Sequence, residues 1–214
     1  EDYDILMFAR RDIKKAVIPS FVKIIKSYAF SKCSVLESIE FDENAQIQTI
    51  ESKAFCNSTL KSLSIPSSLQ KFEEGWNINV SKLVDIKISP NNQNFLYFDD
   101  KLIIGKSKNN DQYDILVYAR NNINKAVIPS SIKQINSYAF AKCKNLDFIV
   151  FQENSSLCSI RQNAFTDSTL SSICFPIVTN LIGEDAFSRC SELASIEFLD
   201  NDIYIDKNCF SECE

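Results

Sequence analysis

Ile128-Pro129-Ser130-Ser131-Ile132-Lys133-Gln134-Ile135-Asn136-Ser137-Tyr138-Ala139-Phe140-Ala141-Lys142-Cys143-Lys144-Asn145-Leu146 is the stretch on which the fold turns. The triplet Ala126-Val127-Ile128 runs into it and ends at Pro129, whose nitrogen carries no hydrogen to continue a ladder. A turn, a second extended piece Ile132-Lys133-Gln134-Ile135 and an Ala139-Phe140 corner follow, and the chain returns to Ile149-Val150-Phe151. Period-two alternation means a short strand with its first and third residues buried. A segment this short cannot bury its own apolar face, so it needs neighbours of the same shape.

The chain supplies them. A displacement of 110 residues lays Tyr3-Asp4-Ile5-Leu6 on Tyr113-Asp114-Ile115-Leu116, Ala16-Val17-Ile18-Pro19-Ser20 on Ala126-Val127-Ile128-Pro129-Ser130, and Ser27-Tyr28-Ala29-Phe30 on Ser137-Tyr138-Ala139-Phe140. Roughly half of the positions from Tyr3 to Phe72 are identical in the second copy, which marks an internal duplication. Within each copy a small residue followed by phenylalanine recurs every 22 to 25 residues, at Ala29-Phe30, Ala54-Phe55, Ala139-Phe140, Ala164-Phe165, Ala186-Phe187 and Cys209-Phe210. Trp76-Asn77 takes that slot in a degenerate unit. About nine residues after each mark comes an alternating triplet, such as Ile39-Glu40-Phe41 or Ile196-Glu197-Phe198. Stacked, these units form a parallel sheet over one continuous core of Ile, Leu and Phe. A doubly wound α/β fold would need helical patterns of about 10 to 15 residues and glycine turns between strands, and neither is present.

Ser89 to Asn124 breaks the period. Phe95-Leu96-Tyr97-Phe98, Lys101-Leu102-Ile103-Ile104 and Tyr113 to Tyr118 are apolar runs separated by Asp, Asn and Gly clusters, which reads as a hairpin insertion. Tyr3 to Phe8 matches only the last strand of that insertion, and Cys209-Phe210-Ser211-Glu212-Cys213-Glu214 stops before the next expected Leu and strand. With an opening Glu1-Asp2-Tyr3 that lacks methionine, the 214 residues read as an excerpt of a longer array. The expectation is one domain over 1–214, made of related copies at 3–88 and 113–214 around an insertion at about 89–124.

Ile128 to Leu146 resembles the BspA-like, or treponemal-type, leucine-rich repeat: Ile-Pro, two residues, Val or Ile, two residues, Ile, then Ala-Phe, two residues, Cys, two residues, Leu. Val17 to Ile39 and Phe175 to Ile196 fit the same pattern. Departures are Ser168 in the cysteine slot, Cys56 two positions early, the lost Ala-Phe around Trp76, and the absence of glycine before the corner except at Gly183. The resemblance implies a leucine-rich-repeat solenoid of about eight units, α/β-type and horseshoe-like in layout but mostly β, with short irregular or 3-10 corners, parallel stacked strands and the inserted β-hairpin. It also implies a non-enzymatic recognition or adhesion module, cell-surface or secreted. Its partners would be a host or extracellular-matrix protein, fibronectin-like or fibrinogen-like, or another cell's surface. An intracellular scaffold is the alternative.

Composition narrows the chemistry further. There is no histidine, so the commonest general base and zinc ligand is missing. The three glycines, Gly75, Gly105 and Gly183, stand far apart, so no phosphate-cradling loop can be written. Basic residues number 23 against 28 acidic, a net charge of -5 without long runs, which disfavours nucleic acid as a partner. No apolar run approaches the roughly 20 residues of a membrane helix. No catalytic residue, cofactor or metal site is expected.

The remaining candidates divide in two. Cys33, Cys143, Cys190 and Cys213 each stand three residues after a corner phenylalanine, a core slot suited to a free thiol, and Cys190 with Cys213 is the pair whose spacing permits a bond. Asp99-Asp100 and Glu73-Glu74 read as solvated turn charges, and Asn57-Ser58-Thr59, Asn79-Val80-Ser81 and Asn154-Ser155-Ser156 as glycosylation triplets expected by chance. The outward strand positions carry the functional expectation. Val127, Phe148, Val150 and Cys174 should form one apolar partner-binding patch on a concave sheet, with the hairpin aromatics Phe95, Tyr97 and Tyr118 as a second candidate.

Overall fold

A computed structural model describes residues 4–108, 110–199 and 202–213, so Tyr3 of the N-terminal match and the final Glu214 lie outside the described residues. The chain forms two compact units, Glu1–Leu96 and Tyr97–Glu214. Among the described residues there is no helix, and both units are β-solenoids.

In the first unit, four-residue strands β2 (Lys15–Ile18), β4 (Ser38–Phe41), β6 (Ser62–Ile65) and β8 (Asp85–Ile88) form one parallel sheet. Two-residue strands β1 (Ile5–Leu6), β3 (Ile24–Ile25), β5 (Thr49–Ile50) and β7 (Lys71–Phe72) form a second. The second unit repeats the plan. Strands β12 (Lys125–Ile128), β14 (Phe148–Phe151), β16 (Ser172–Phe175) and β18 (Ser195–Phe198) make its parallel four-residue sheet. Strands β13 (Gln134–Ile135), β15 (Ser159–Ile160), β17 (Leu181–Ile182) and β19 (Tyr204–Ile205) continue a sheet that also holds β11 (Tyr113–Ala119), β10 (Leu102–Lys106) and β9 (Phe95–Phe98). Each strand β12 to β18 is its first-unit counterpart displaced by 110 residues. β2, β6, β12 and β16 each end directly before a proline, the position at which the missing donor stops the ladder.

The corners are runs of turns rather than 3-10 helix. Each corner that holds a phenylalanine places one non-glycine residue at positive φ before the pair and another after it, as at Tyr28 and Lys32 or Tyr138 and Lys142, whereas the degenerate corner at Trp76 uses Gly75 and Asn79. The turns stack through the corner backbone: Phe140 N–H donates to Ala164 O (2.7 Å), and Phe165 N–H to Ala186 O (2.7 Å). Their side chains stack too. Phe140, Phe165 and Phe187 lie ring on ring at 4.8 Å, and Phe210 follows at 5.4 Å. In the first unit Trp76, at the alanine position of its degenerate repeat, reaches Phe55 edge-on at 5.9 Å and stands in for the missing phenylalanine. Ser168, in the cysteine slot, shares a hydrogen bond with Cys190 Sγ (3.4 Å).

The insertion is the hairpin β10–β11, antiparallel, with β11 also pairing in parallel with β13. Asp99 and Asp100, both at positive φ, occupy the centre of the turn from β9 into β10, closed by Lys101 N–H to Phe98 O (3.2 Å), as a twisted two-residue hairpin turn requires. β1 in the first unit holds the register on β3 that β11 holds on β13.

Candidate recognition surface

Alternation along β12, β14 and β16 points Ala126, Ile128, Ile149, Ile173 and Phe175 into the core. The intervening residues face outward. Val127 and Val150 are opposite each other across the β12–β14 ladder, and Phe148, two residues before Val150, faces the same way at 38% exposure. Cys174 on β16 is exposed and opposes Glu197 on β18. Val127 is half-buried, and the Lys125 ammonium lies 5.2 Å above the Phe148 ring. Partial burial pushes the Cys174 thiol up, and the hydrogen bond and negative charge of Glu197 push it further. Val127, Phe148, Val150 and Cys174 thus leave three adjacent strands on the outward side.

The equivalent face of the first unit is polar. Lys15 pairs with Glu40 at 2.8 Å, Ser62 Oγ donates to Asp85 (3.1 Å), and Val17 is an isolated exposed apolar residue beside Glu40.

The hairpin aromatics behave differently from expectation, and two are corrected. Phe95 is buried against Phe72, and Tyr118 is fully buried with its hydroxyl donating to Asn121 (2.9 Å). Burial also pushes the Tyr118 hydroxyl well up. At 1% exposure Tyr118 is core rather than surface. Tyr97 is half-buried beneath the Arg120 guanidinium, 5.0 Å from its ring.

The other candidates have structural roles. The Glu73 carboxylate accepts from Ser52 N–H (3.2 Å) and pairs with Lys71, and Asp99 pairs with Lys101. Cys190 and Cys213 are unbonded; each thiol donates to a carbonyl, of Phe165 (3.1 Å) and Phe187 (3.2 Å). Asn57, Asn79 and Asn154 are exposed, with Asn79 Nδ2 donating to Asn57 Oδ1 (3.0 Å). Among the described residues no cluster of three cysteine or carboxylate side chains could hold a metal ion, and no helix is long and apolar enough to cross a membrane.

Beside the outward face of the second unit lies a cleft of about 940 Å³. Val150 and Cys174 line it, joined by Cys158, Ile177, Val178 and Leu199, none of which strand alternation singles out. Ile177 and Val178 sit in a turn, Cys158 directly before β15 and Leu199 directly after β18, where a single copy carries no period. Comparison of the two copies would have found them.

Residues 6–99 and 115–214 match the BspA type leucine-rich repeat region, in six copies. The chain belongs to this family. BspA-type repeats account for the corner, the proline-ended strands and the stacking alike, and the fold is a leucine-rich-repeat solenoid. Among solved structures, the chain resembles the pneumococcal vaccine antigen PcpA at 20% identity and a TM-score of 0.73, covering 91% of this chain and 54% of that one. It resembles a leucine-rich repeat protein of Eubacterium ventriosum at 22% identity and a TM-score of 0.73, covering 94% and 58%. A leucine-rich cell surface protein of Faecalibacterium prausnitzii shares 20% identity with a TM-score of 0.59, covering 89% and 61%. The chain thus spans a little over half the length of these relatives. No curated protein matches the sequence.

Proposed function

We propose that this chain is a non-enzymatic protein-recognition module acting at a cell surface or in the extracellular space through the outward face of β12–β14–β16. One observation carries the reading. Phe148, Val150 and Cys174 are exposed on adjacent strands of a scaffold whose other copy is satisfied with Ser38, Glu40 and Ser64 at the same positions. Exposed apolar patches of this kind mark partner surfaces, and solenoid sheets present them to macromolecules. The names of two structural relatives, a vaccine antigen and a cell surface protein, support the location. The partner class is a host or extracellular-matrix protein, or the surface of another cell.

Immobilised fibronectin and fibrinogen test it. The expected outcome is saturable binding that falls about tenfold or more in Phe148→Asp/Val150→Asp, with the far-UV spectrum unchanged. Equal binding by the double variant overturns the face, and binding to neither protein overturns the matrix class.

A further inference from the structure

We infer that the cleft beside the recognition face is a docking groove for an extended apolar peptide segment of a protein partner, ending in an acidic residue; this deepens the recognition reading above and rests on it. The duplication supplies the control. Val150, Cys158, Cys174, Ile177, Val178 and Leu199 line the cleft, and 110 residues earlier the same positions hold Glu40, Gln48, Ser64, Ser67, Ser68 and Ser89. All six changes run from polar to apolar or thiol. The turn beneath Ile177 and Val178 keeps the hydrogen bonds of its first-copy counterpart, although in the first copy Asn92 also donates to Pro66 O and Leu69 O. Leu69 N–H donates to Pro66 O (3.3 Å) in one copy and Thr179 N–H to Pro176 O (2.9 Å) in the other, so the turn that carries Ser67-Ser68 or Ile177-Val178 forms with either pair. Nor do the apolar side chains retreat into the core: Ile177 is 62% exposed, Leu199 54% and Val178 44%. A solenoid that folds with serine at these positions has no structural need for large aliphatic groups there.

The cleft also says what would cover it. At about 940 Å³ it lies near the top of the roughly 300–1,000 Å³ span of small-molecule sites, and its exposed Ile177, Val178 and Leu199 leave it open to solvent, which suits a chain segment better than an enclosed ligand. Strand addition is blocked, because β14 and β16 are already paired on both edges, so recognition falls to side chains. No carboxylate lines the cleft. Lys133 does, half-exposed and 4.0 Å from Asp114, with Gln152, Asn154 and Ser156 as neutral donors and acceptors. An apolar segment with an acidic end would meet the exposed aliphatic groups and the Lys133 ammonium.

The test uses the whole chain and two fluorescein-labelled octapeptides, Ser-Leu-Val-Ser-Ile-Phe-Asp-Asp and the same peptide ending Lys-Lys, followed by anisotropy. The acidic peptide should bind about tenfold tighter than the basic one, and Lys133→Glu should erase that preference. Ile177→Ser/Val178→Ser/Leu199→Ser should weaken binding about tenfold or more while leaving the fold intact. The reverse graft, Glu40→Val/Ser67→Ile/Ser68→Val/Ser89→Leu, should raise the stoichiometry from one site towards two. Phe148→Asp should lose matrix-protein binding yet keep the peptide, so failure of the groove and failure of the face are read separately. No saturable binding of either peptide, binding unchanged in the triple serine variant, saturation of the cleft by sodium laurate alone, or a dimer in sedimentation that the triple serine variant dissociates would each overturn the groove.

Discussion

At Gly183, alone among the repeats, glycine precedes the Ala-Phe corner by three residues. A Cβ built there would stand 2.8 Å from the Gln162 nitrogen and 3.0 Å from the Arg161 carbonyl carbon, both backbone atoms that cannot swing aside. The same chain uses non-glycine residues where a left-handed backbone is needed, such as Lys32 at φ 58°. Each costs about 1–2 kcal/mol through the clash of Cβ with the following carbonyl. Opposite outcomes follow. Gly183→Ala should lower unfolding free energy by about 1–3 kcal/mol by forcing backbone apart, whereas Lys32→Gly should raise it by about 0.5–1 kcal/mol, both measured from urea midpoints. The low glycine count is visible in the sequence; that it leaves left-handed corners to Lys, Asn and Tyr is not, because φ is set by the stacking of turns on one another.

The hairpin shows what a strand pattern says and omits. Apolar runs separated by turn residues locate β10 and β11 correctly, but they do not reveal that β11 serves two ladders, antiparallel to β10 and parallel to β13. Nor do they reveal that Tyr118 is buried. Asp114 is buried as well, and its carboxylate accepts from Ser107 N–H and Oγ (both 2.9 Å) and from Asn110 Nδ2 (2.6 Å). A buried acceptor removed from three donors leaves those donors unsatisfied. Asp114→Ala should destabilise the chain by about 2–3 kcal/mol and speed amide exchange across Leu102–Ala119 more than in β14 or β16. Uniform acceleration of exchange instead would show that the hairpin is not an independent element.

At the scale of the whole chain, eight thiols report where the core runs. Cys33, Cys56, Cys143, Cys190 and Cys209 are buried, Cys213 is half-buried, and Cys158 and Cys174 are exposed. Desolvation pushes Cys190 up to about 11 and Cys209 up to about 12, and raises Cys143 as well. A disulfide reagent at pH 8 should therefore label two thiols in a fast phase, one more slowly, and five only after denaturant. Because Glu197 raises Cys174, Glu197→Gln should quicken that thiol alone. Peptide mapping of the labelled chain reads both outcomes.

By itself the sequence determined the repeat, the duplication and the family, because a fixed spacing of Ile, Pro, Ala-Phe and Leu has one economical solution: turns stacked so that every apolar row meets its own kind. Strand alternation likewise sorted Val127, Phe148, Val150 and Cys174 outward. Only the tertiary structure decided which apolar residues stay in contact with water. Tyr118 and Phe148 are both aromatics on strands flanked at both edges, yet Tyr118 is 1% exposed, with its hydroxyl on Asn121, while Phe148 stays 38% exposed. Residues between strands, such as Ile177, Val178 and Leu199, obey no period, so they were grouped into one cleft by the return path of the backbone rather than by spacing. Burial is a property of what lies above a side chain, and a one-dimensional pattern records only which way that side chain leaves the backbone.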